Sequence, residues 1–208
     1  ENIKISSEML QFYNGIRECL VVNTSLLSGK FNDQDRKKVL DLLGESASEY
    51  RLHIYQYGFS GQKRTVSIDD LKQFTTVSLA FIDHSIQANQ RPDKLYHSYN
   101  LMSIDNDKVI VSNLSEMLEG QVAVLSSGYI SGKASLEVLD ALKSSALFRP
   151  DQYSYILYPN KELPRFDVKN NIPSGKVKRS DLLQQLLKDG NKQIIEKDAK
   201  GIYHFNGA

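Results

Sequence analysis

The carboxylate Glu119, within a helical stretch, is followed by Asp151, the rings Tyr153, Tyr155 and Tyr158, and the guanidinium of Arg165 in a later stretch that Pro150, Pro159 and Pro164 break into short extended pieces. Planar rings beside carboxylates, amides and guanidinium groups are what a polar, ring-shaped ligand such as a sugar requires. Two carboxylates can also cleave a glycosidic bond when an apolar setting keeps one of them protonated, with a separation of roughly 5 Å for retention or about 6.5–9.5 Å for inversion. Glu119 as acid and Asp151 as base or nucleophile form the candidate pair. Against this stands a plainer reading in which Glu116 is the N3 residue of a capping box and Asp151 caps a turn after Pro150. Gln121 and His97 join the candidate ligand contacts. His97 is flanked by Tyr96, Tyr99 and Asn100, and its competing role is a packed imidazole bonded to a backbone carbonyl. In a strand, Tyr153, Tyr155 and Leu157 share one face and Ser154, Ile156 and Tyr158 the other. Both faces are largely apolar, so burial between layers competes with a sugar platform.

Other apparent motifs fall short. Gly128-Tyr129-Ile130-Ser131-Gly132-Lys133-Ala134 has glycine spacing one residue short of a phosphate loop, with Ala134 where Ser or Thr is required. Ser126 and Ser127 lie in no Gly-x-Ser-x-Gly elbow. His53 and His84 lack the helical partner four residues on that a zinc site shows. No cofactor or metal is expected. Cys19, the single cysteine, sits in an apolar helical stripe and reads as a buried, inert thiol.

The elements that must position these residues are mainly helical. Apolar residues from Met9 to Leu27 recur at helical spacing, with Ser6 or Ser7 as cap and Gly29 as stop. A second helix starts at Asn32 and ends before Gly58. A third starts from Ser67 with Asp70 three residues on, Val66 and Leu71 standing where a hydrophobic staple closes. It must end before Pro92. From Leu95 to Leu114 the period changes to two, which predicts a β-hairpin around Asp105-Asn106-Asp107. Helices follow at about 116–128, started by Asn113 and Glu116, and about 133–147. A last helix starts at Ser180 and stops at Gly190, and short strands at 193–195 and 202–205 flank Asp198-Ala199-Lys200-Gly201. Leu95-Tyr96-His97 and Ile202-Tyr203-His204 echo each other, so the two segments are candidates to pair in one sheet. The expected class is mainly α (α+β), helical hairpins with a small antiparallel sheet, organised as residues 1–92 and 93–208.

At 208 residues, 40% hydrophobic and 25% charged, the chain is long enough for a well-filled core. Lys plus Arg (26) nearly balance Asp plus Glu (25) and are interspersed with them, which argues against nucleic acid as a partner. No apolar run reaches the roughly 20 residues that span a bilayer, so no membrane partner is expected and the compartment stays open between cytoplasm and periplasm. Starting at Glu1 and stopping just after a strand-like segment, the sequence reads as a fragment of a longer chain.

Tyr96-His97-Ser98-Tyr99-Asn100-Leu101, Met117 to Gly128, Asp151 to Pro159, Leu163-Pro164-Arg165-Phe166 and Tyr203-His204-Phe205-Asn206-Gly207 together resemble an internal piece of large bacterial proteins akin to six-hairpin (α/α)-toroid glycosidases and sugar phosphorylases. The resemblance runs from about Lys94 to Ala208. It implies a carbohydrate setting and a longer parent polypeptide, and it carries no catalytic residue over. The expected role is a non-autonomous, sugar-contacting or structural domain. A glycoside hydrolase or phosphorylase using the carboxylate pair, and a pure interaction scaffold, are the alternatives. An apolar face left bare in isolation would favour a homodimer.

Overall fold

Two serine-capped helices, each led in by a short strand, organise the start of the chain. A computed structural model describes residues 1–206, and of Asp167 it describes the backbone alone. Strand β1 (Asn2–Ser6) runs into helix α1 (Ser7–Val22), and β2 (Lys63–Ser67) into α3 (Ile68–Ala88). The strands pair antiparallel, Ile3 opposite Val66. Their last residues are the caps: the Ser6 hydroxyl accepts from Met9 N and the Ser67 hydroxyl from Asp70 N. This ribbon fixes the two helix starts side by side, and the Tyr13 ring meets Phe74 edge-on at 5.1 Å. Neither strand is anticipated above. Their alternation is short, and the partner lies far along the chain.

Helix α2 (Asp33–Tyr57) packs on α1 and is bounded as the sequence predicts, by the Asn32 cap and by Gly58 at φ 70°. Helix α1 ends earlier than the apolar stripe suggests. The buried Asn23 amide donates to the Cys19 carbonyl at 2.7 Å, and residues 24–28 tighten into a 3₁₀ turn. Strands β3 (Leu101–Asp105) and β4 (Lys108–Ser112) form the expected hairpin, with Asn106 at φ 47° in its turn. Strand β4 lies on α2, where the Arg36 guanidinium donates to the Val109 carbonyl at 2.6 Å.

The best-filled core lies beyond this hairpin. Leu95, Tyr96, Val124, Val138, Leu142 and Leu147 form one buried cluster between the 95–96 segment, α4 (Leu118–Ser126) and α5 (Gly132–Lys143). Helix α4 does not begin with the Asn113/Glu116 box. Glu116 is drawn instead to Arg91 at 3.4 Å, and the first free N–H of α4, that of Leu118, donates to the Leu157 carbonyl at 3.0 Å. A tight hairpin of β5 (Phe148–Arg149) and β6 (Ser154–Tyr155) follows.

The chain divides into two compact units, Glu1–Pro159 and Asn160–Ala208, so the boundary expected near residue 92 falls inside the first of them. The first is mainly helical with two-stranded antiparallel pieces. The second holds α6 (Phe166–Lys169), β7 (Asn171–Ile172), α7 (Ser174–Lys178), α8 (Asp181–Lys188), β8 (Ile195–Lys197) and β9 (Tyr203–Phe205), with strand order β7-β9-β8. Both edges of β9 are taken within this unit, so the Tyr-His echo does not pair with the 95–97 segment, whose bridge partner is Gln90.

The Asp198–His204 pair clasps the second unit's hairpin. The Asp198 carboxylate accepts the N–H groups of Lys200 and Ile202 at 2.9 and 2.8 Å and meets His204 Nε2 at 3.0 Å. His204 Nδ1 faces the Asn170 carbonyl at 3.0 Å. Both ring nitrogens thus face acceptors, an arrangement only the imidazolium satisfies. The hydrogen bond to Asp198 raises the His204 pKa, and the bond from His204 lowers that of Asp198. A lowered carboxylate stabilises the fold above its ordinary titration range and loses that contribution as pH falls. A raised imidazole contributes below its ordinary range and loses it as pH rises. The clasp is therefore strongest between roughly pH 4 and 6.5. Amide exchange at Lys200 and Ile202 is expected to accelerate from pH 6 to 9, after correction for intrinsic rates, and His204→Gln should flatten that rise. An unchanged profile in His204→Gln would remove the clasp's role.

Candidate functional site

The densest of the expected contacts is an exposed aromatic ledge. Leu147, fully buried in the core, fixes the chain just before β5, and its carbonyl accepts Ile156 N–H at 2.9 Å. The next residue, Phe148, then stands opposite Tyr155 across the hairpin. Its ring is 5.3 Å from that of Tyr155 and 5.6 Å, edge-on, from that of Tyr153. Tyr153 reaches this position by a left-handed turn at φ 49° and not by strand alternation. A bulky residue holds that conformation only where its surroundings enforce it. Here the enforcement is the ring contact together with Lys143 Nζ, 5.7 Å from the ring centroid. Tyr153 is 77% exposed, Tyr155 40% and Tyr158 50%, so the rings are open to solvent and not buried between layers. Exposed apolar rings gathered together are the informative kind of surface.

Asp151 belongs to the turn that carries Tyr153. Arg149 grips it with a two-pronged fork, Nε to Oδ1 at 3.0 Å and Nη2 to Oδ2 at 2.9 Å, and Gln152 N–H closes on the Arg149 carbonyl at 3.2 Å. The guanidinium holds the Asp151 carboxyl below the usual carboxylate range. Both Asp151 oxygens are engaged by Arg149 across the turn. Glu119 lies half-buried in the first turn of α4.

His97 and Gln121 are brought together elsewhere, where α4 docks on the 95–98 segment. Gln121, expected as a ligand contact, is fully buried and bonds the protein itself. Its amide receives the Tyr96 N–H at 2.9 Å and donates to the carbonyls of Tyr96 and Met117, each at 2.9 Å. A side-chain amide with the same donor and acceptor as a peptide group has replaced a neighbouring strand. No surface remains for a sugar. His97 lines a cleft of about 410 Å³ with Phe81, Ile86 and Val124, and its Nδ1 is buried without a hydrogen-bond partner. The carbonyl partner expected for a packed imidazole is therefore missing at that nitrogen.

Arg165 belongs to the second unit, exposed at the start of α6, where its carbonyl accepts from Val168 and Lys169 at 3.0 Å each. Leu163 and Phe166 beside it are also exposed. Among the described residues no helix is long and apolar enough to cross a membrane. Sequence reasoning missed Phe148, the ring between the two tyrosines, and did not pair Arg149 with Asp151. The spacing Arg149-Pro150-Asp151 was the available signal, since a turn after proline brings such a pair within reach.

Residues 163–208 match a family described as GH149 phosphorylase insertion domain 2. The match begins within three residues of the second unit, at 163 against 160, and supports a glycoside hydrolase or phosphorylase relationship over that segment. Its last two residues, Gly207 and Ala208, lie outside the described ones. No curated protein matches the chain.

Proposed function

We propose that this chain is a non-catalytic, sugar-contacting part of a longer carbohydrate-active phosphorylase-type protein. The match of the second unit to a phosphorylase insertion domain carries this reading. The parent on this reading is a bacterial polypeptide built round an (α/α) toroid, with which the packed pair α1 and α2 is compatible, and its remainder is the chain's standing partner. The sugar-facing surface is the ledge of Tyr153, Phe148 and Tyr155; Tyr158, His97 in its own cleft and, separately in the second unit, Arg165 are further candidate contacts. A sugar ring presents one face of C–H groups, which suits an aromatic surface, and hydroxyls at its rim, which suit Lys143 and the Arg149–Asp151 pair.

A thermal-shift screen of mono- and oligosaccharides against the whole chain tests this. A sugar present at about 100 times its Kd adds roughly 2.7 kcal/mol to stability. Truncating one stacking ring, Tyr155→Ala, removes about 0.5–1.5 kcal/mol of binding, seen as an affinity weakened about two- to tenfold. Glu119→Gln is expected to leave binding intact. Turnover of a glycoside by this chain, abolished in Glu119→Gln, would replace the non-catalytic reading with the carboxylate-pair enzyme. A folded chain that no sugar stabilises would leave the scaffold reading.

A further inference from the structure

The groove between α1 and α2 holds unassigned chemistry unlike that of the aromatic ledge. At its floor Gly15 of α1 faces Ser46 of α2 closely, and a Cβ added at Gly15 would sit 2.5 Å from Ser46 Oγ and 3.1 Å from Ser46 Cβ. From that point a cavity of about 700 Å³ opens along the helices. The carboxylates Glu8, Glu18 and Glu49 line it, as does the stacked pair Phe12–Tyr50, whose rings lie 4.9 Å apart at 17°. A second hollow of about 340 Å³ shares Gly15, Glu18, Ser46 and Glu49 with it and adds Glu45. Among the described residues lining either hollow there is no Lys or Arg, and His53 is the sole basic side chain.

Glu8 makes this more than an acidic surface. It is 94% buried, at 6% exposure, and only one of its oxygens is satisfied. Oε1 accepts the Ser60 backbone N–H at 2.9 Å and the Ser60 hydroxyl as well. Oε2 is buried and has no partner. The Ser60 hydrogen bonds hold the carboxyl ionised, its pKa lowered to about 2. A half-satisfied buried anion calls for a positive hydrogen-bond donor. A bare metal ion does not fit, because no group of three or more His, Cys, Asp or Glu among the described residues gathers closely enough to hold one. Carboxylates spread along a groove suit a larger organic cation, and ring faces beside them add attraction for it. Gln11, Asn14, Gln56 and Ser46 complete the lining with amides and a hydroxyl, the partners that neutral hydroxyl groups require.

We propose that the α1–α2 groove binds a small hydroxylated ligand carrying a primary ammonium group, of the amino-sugar class, with the ammonium paired to Glu8, the exposed Glu18 and Glu49 carboxylates adding attraction along the groove, and the ring body against Phe12 and Tyr50. This site lies apart from the ledge residues and does not rest on the phosphorylase reading.

The test is an NMR titration of the whole chain at low ionic strength with glucosamine, with glucose as the uncharged counterpart and spermidine as an amine without hydroxyls. Glucosamine is expected to shift the amides of Glu8, Gly15, Ser46 and Glu49, to bind at least about tenfold more tightly than either control, and to weaken as salt is raised, since exposed charges are screened. Glu18→Gln and Glu49→Gln alter exposed helix positions and leave the fold intact. Together they should weaken glucosamine binding, read at the groove amides, about tenfold or more, whereas Leu136→Ala, at an exposed position on α5 outside the groove lining, should leave it unchanged. The proposal is overturned if glucosamine shifts no groove amide, if glucose or spermidine binds as tightly, or if the double variant binds glucosamine like the wild type.

Discussion

Leu147→Ala is expected to destabilise the first unit by about 2–5 kcal/mol and to disorder the aromatic ledge in the same step. Leu147 is fully buried among Leu95, Tyr96, Val124, Val138 and Leu142, so truncation leaves a cavity that helices on two sides must collapse to fill. The same residue anchors the ledge. Its N–H is held by the Ser145 hydroxyl at 3.1 Å, its carbonyl by Ile156 N–H, and Phe148, the ring between Tyr153 and Tyr155, follows it directly. The chain contains no Trp, so near-ultraviolet circular dichroism reports chiefly on its tyrosines. Urea unfolding should give the stability loss, and the near-ultraviolet signal at zero denaturant should fall. Leu136→Ala, at a position 63% exposed on α5, is the control and should change stability by less than about 0.5 kcal/mol. A Leu147→Ala variant within 1 kcal/mol of the wild type would mean that the cluster is looser than its burial implies.

That dependence of a surface on a core residue explains what the sequence could and could not show. Helix starts and stops were legible wherever a single local device decides them. Ser67 bonds Asp70 N, Asn32 bonds Asp35 N, and Gly58 takes the positive φ that ends α2. The start of α4 was misread because Asn113 and Glu116 fit a capping pattern while a distant partner, Arg91, holds Glu116. The β1–β2 ribbon was hidden for a related reason: each strand is too short to signal alone, and the pairing joins residues 2–6 to 63–67. At the candidate site the sequence carried the residue types but not their exposure. Alternation placed Tyr153 and Tyr155 on one face, and they do meet the same ring, Phe148. The cause is a left-handed turn clamped by Arg149 and Asp151, which no period-two pattern encodes. Gln121 shows the converse. A polar residue among apolar ones invites a functional reading, yet its partners are the backbone groups of Tyr96 and Met117.

Gln121→Leu puts a number on that converse. The substitution keeps the side chain's approximate volume and removes its polar atoms, so the Tyr96 N–H and C=O lose their partner while buried. Each buried backbone group left unsatisfied costs about 1–3 kcal/mol, which for the two Tyr96 groups sets the expected loss at about 2–6 kcal/mol. Relaxation has little room to reduce it. At the adjacent Gly120, a Cβ would already lie 2.8 Å from Ser98 Oγ and 3.3 Å from the Tyr96 carbonyl, so α4 cannot slide along the segment to find new bonds. Gln121→Glu is the more discriminating variant. A carboxylate there still accepts from Tyr96 N–H, but it faces the Tyr96 and Met117 carbonyls with no proton to donate. Burial then raises its folded pKa above the unfolded value, and the protonated form is the one that fits. A group with a raised folded pKa stabilises the fold at low pH and loses that contribution as pH rises. Relative to wild type at each pH, Gln121→Glu should therefore be strongly destabilised at pH 7 and partly recover by pH 4.5, whereas Gln121→Leu should show a deficit independent of pH. Urea unfolding at the two pH values makes the comparison. A Gln121→Leu variant as stable as wild type, but altered in sugar affinity, would return Gln121 to the list of ligand contacts and remove the bracket that ties α4 to the Tyr96 backbone.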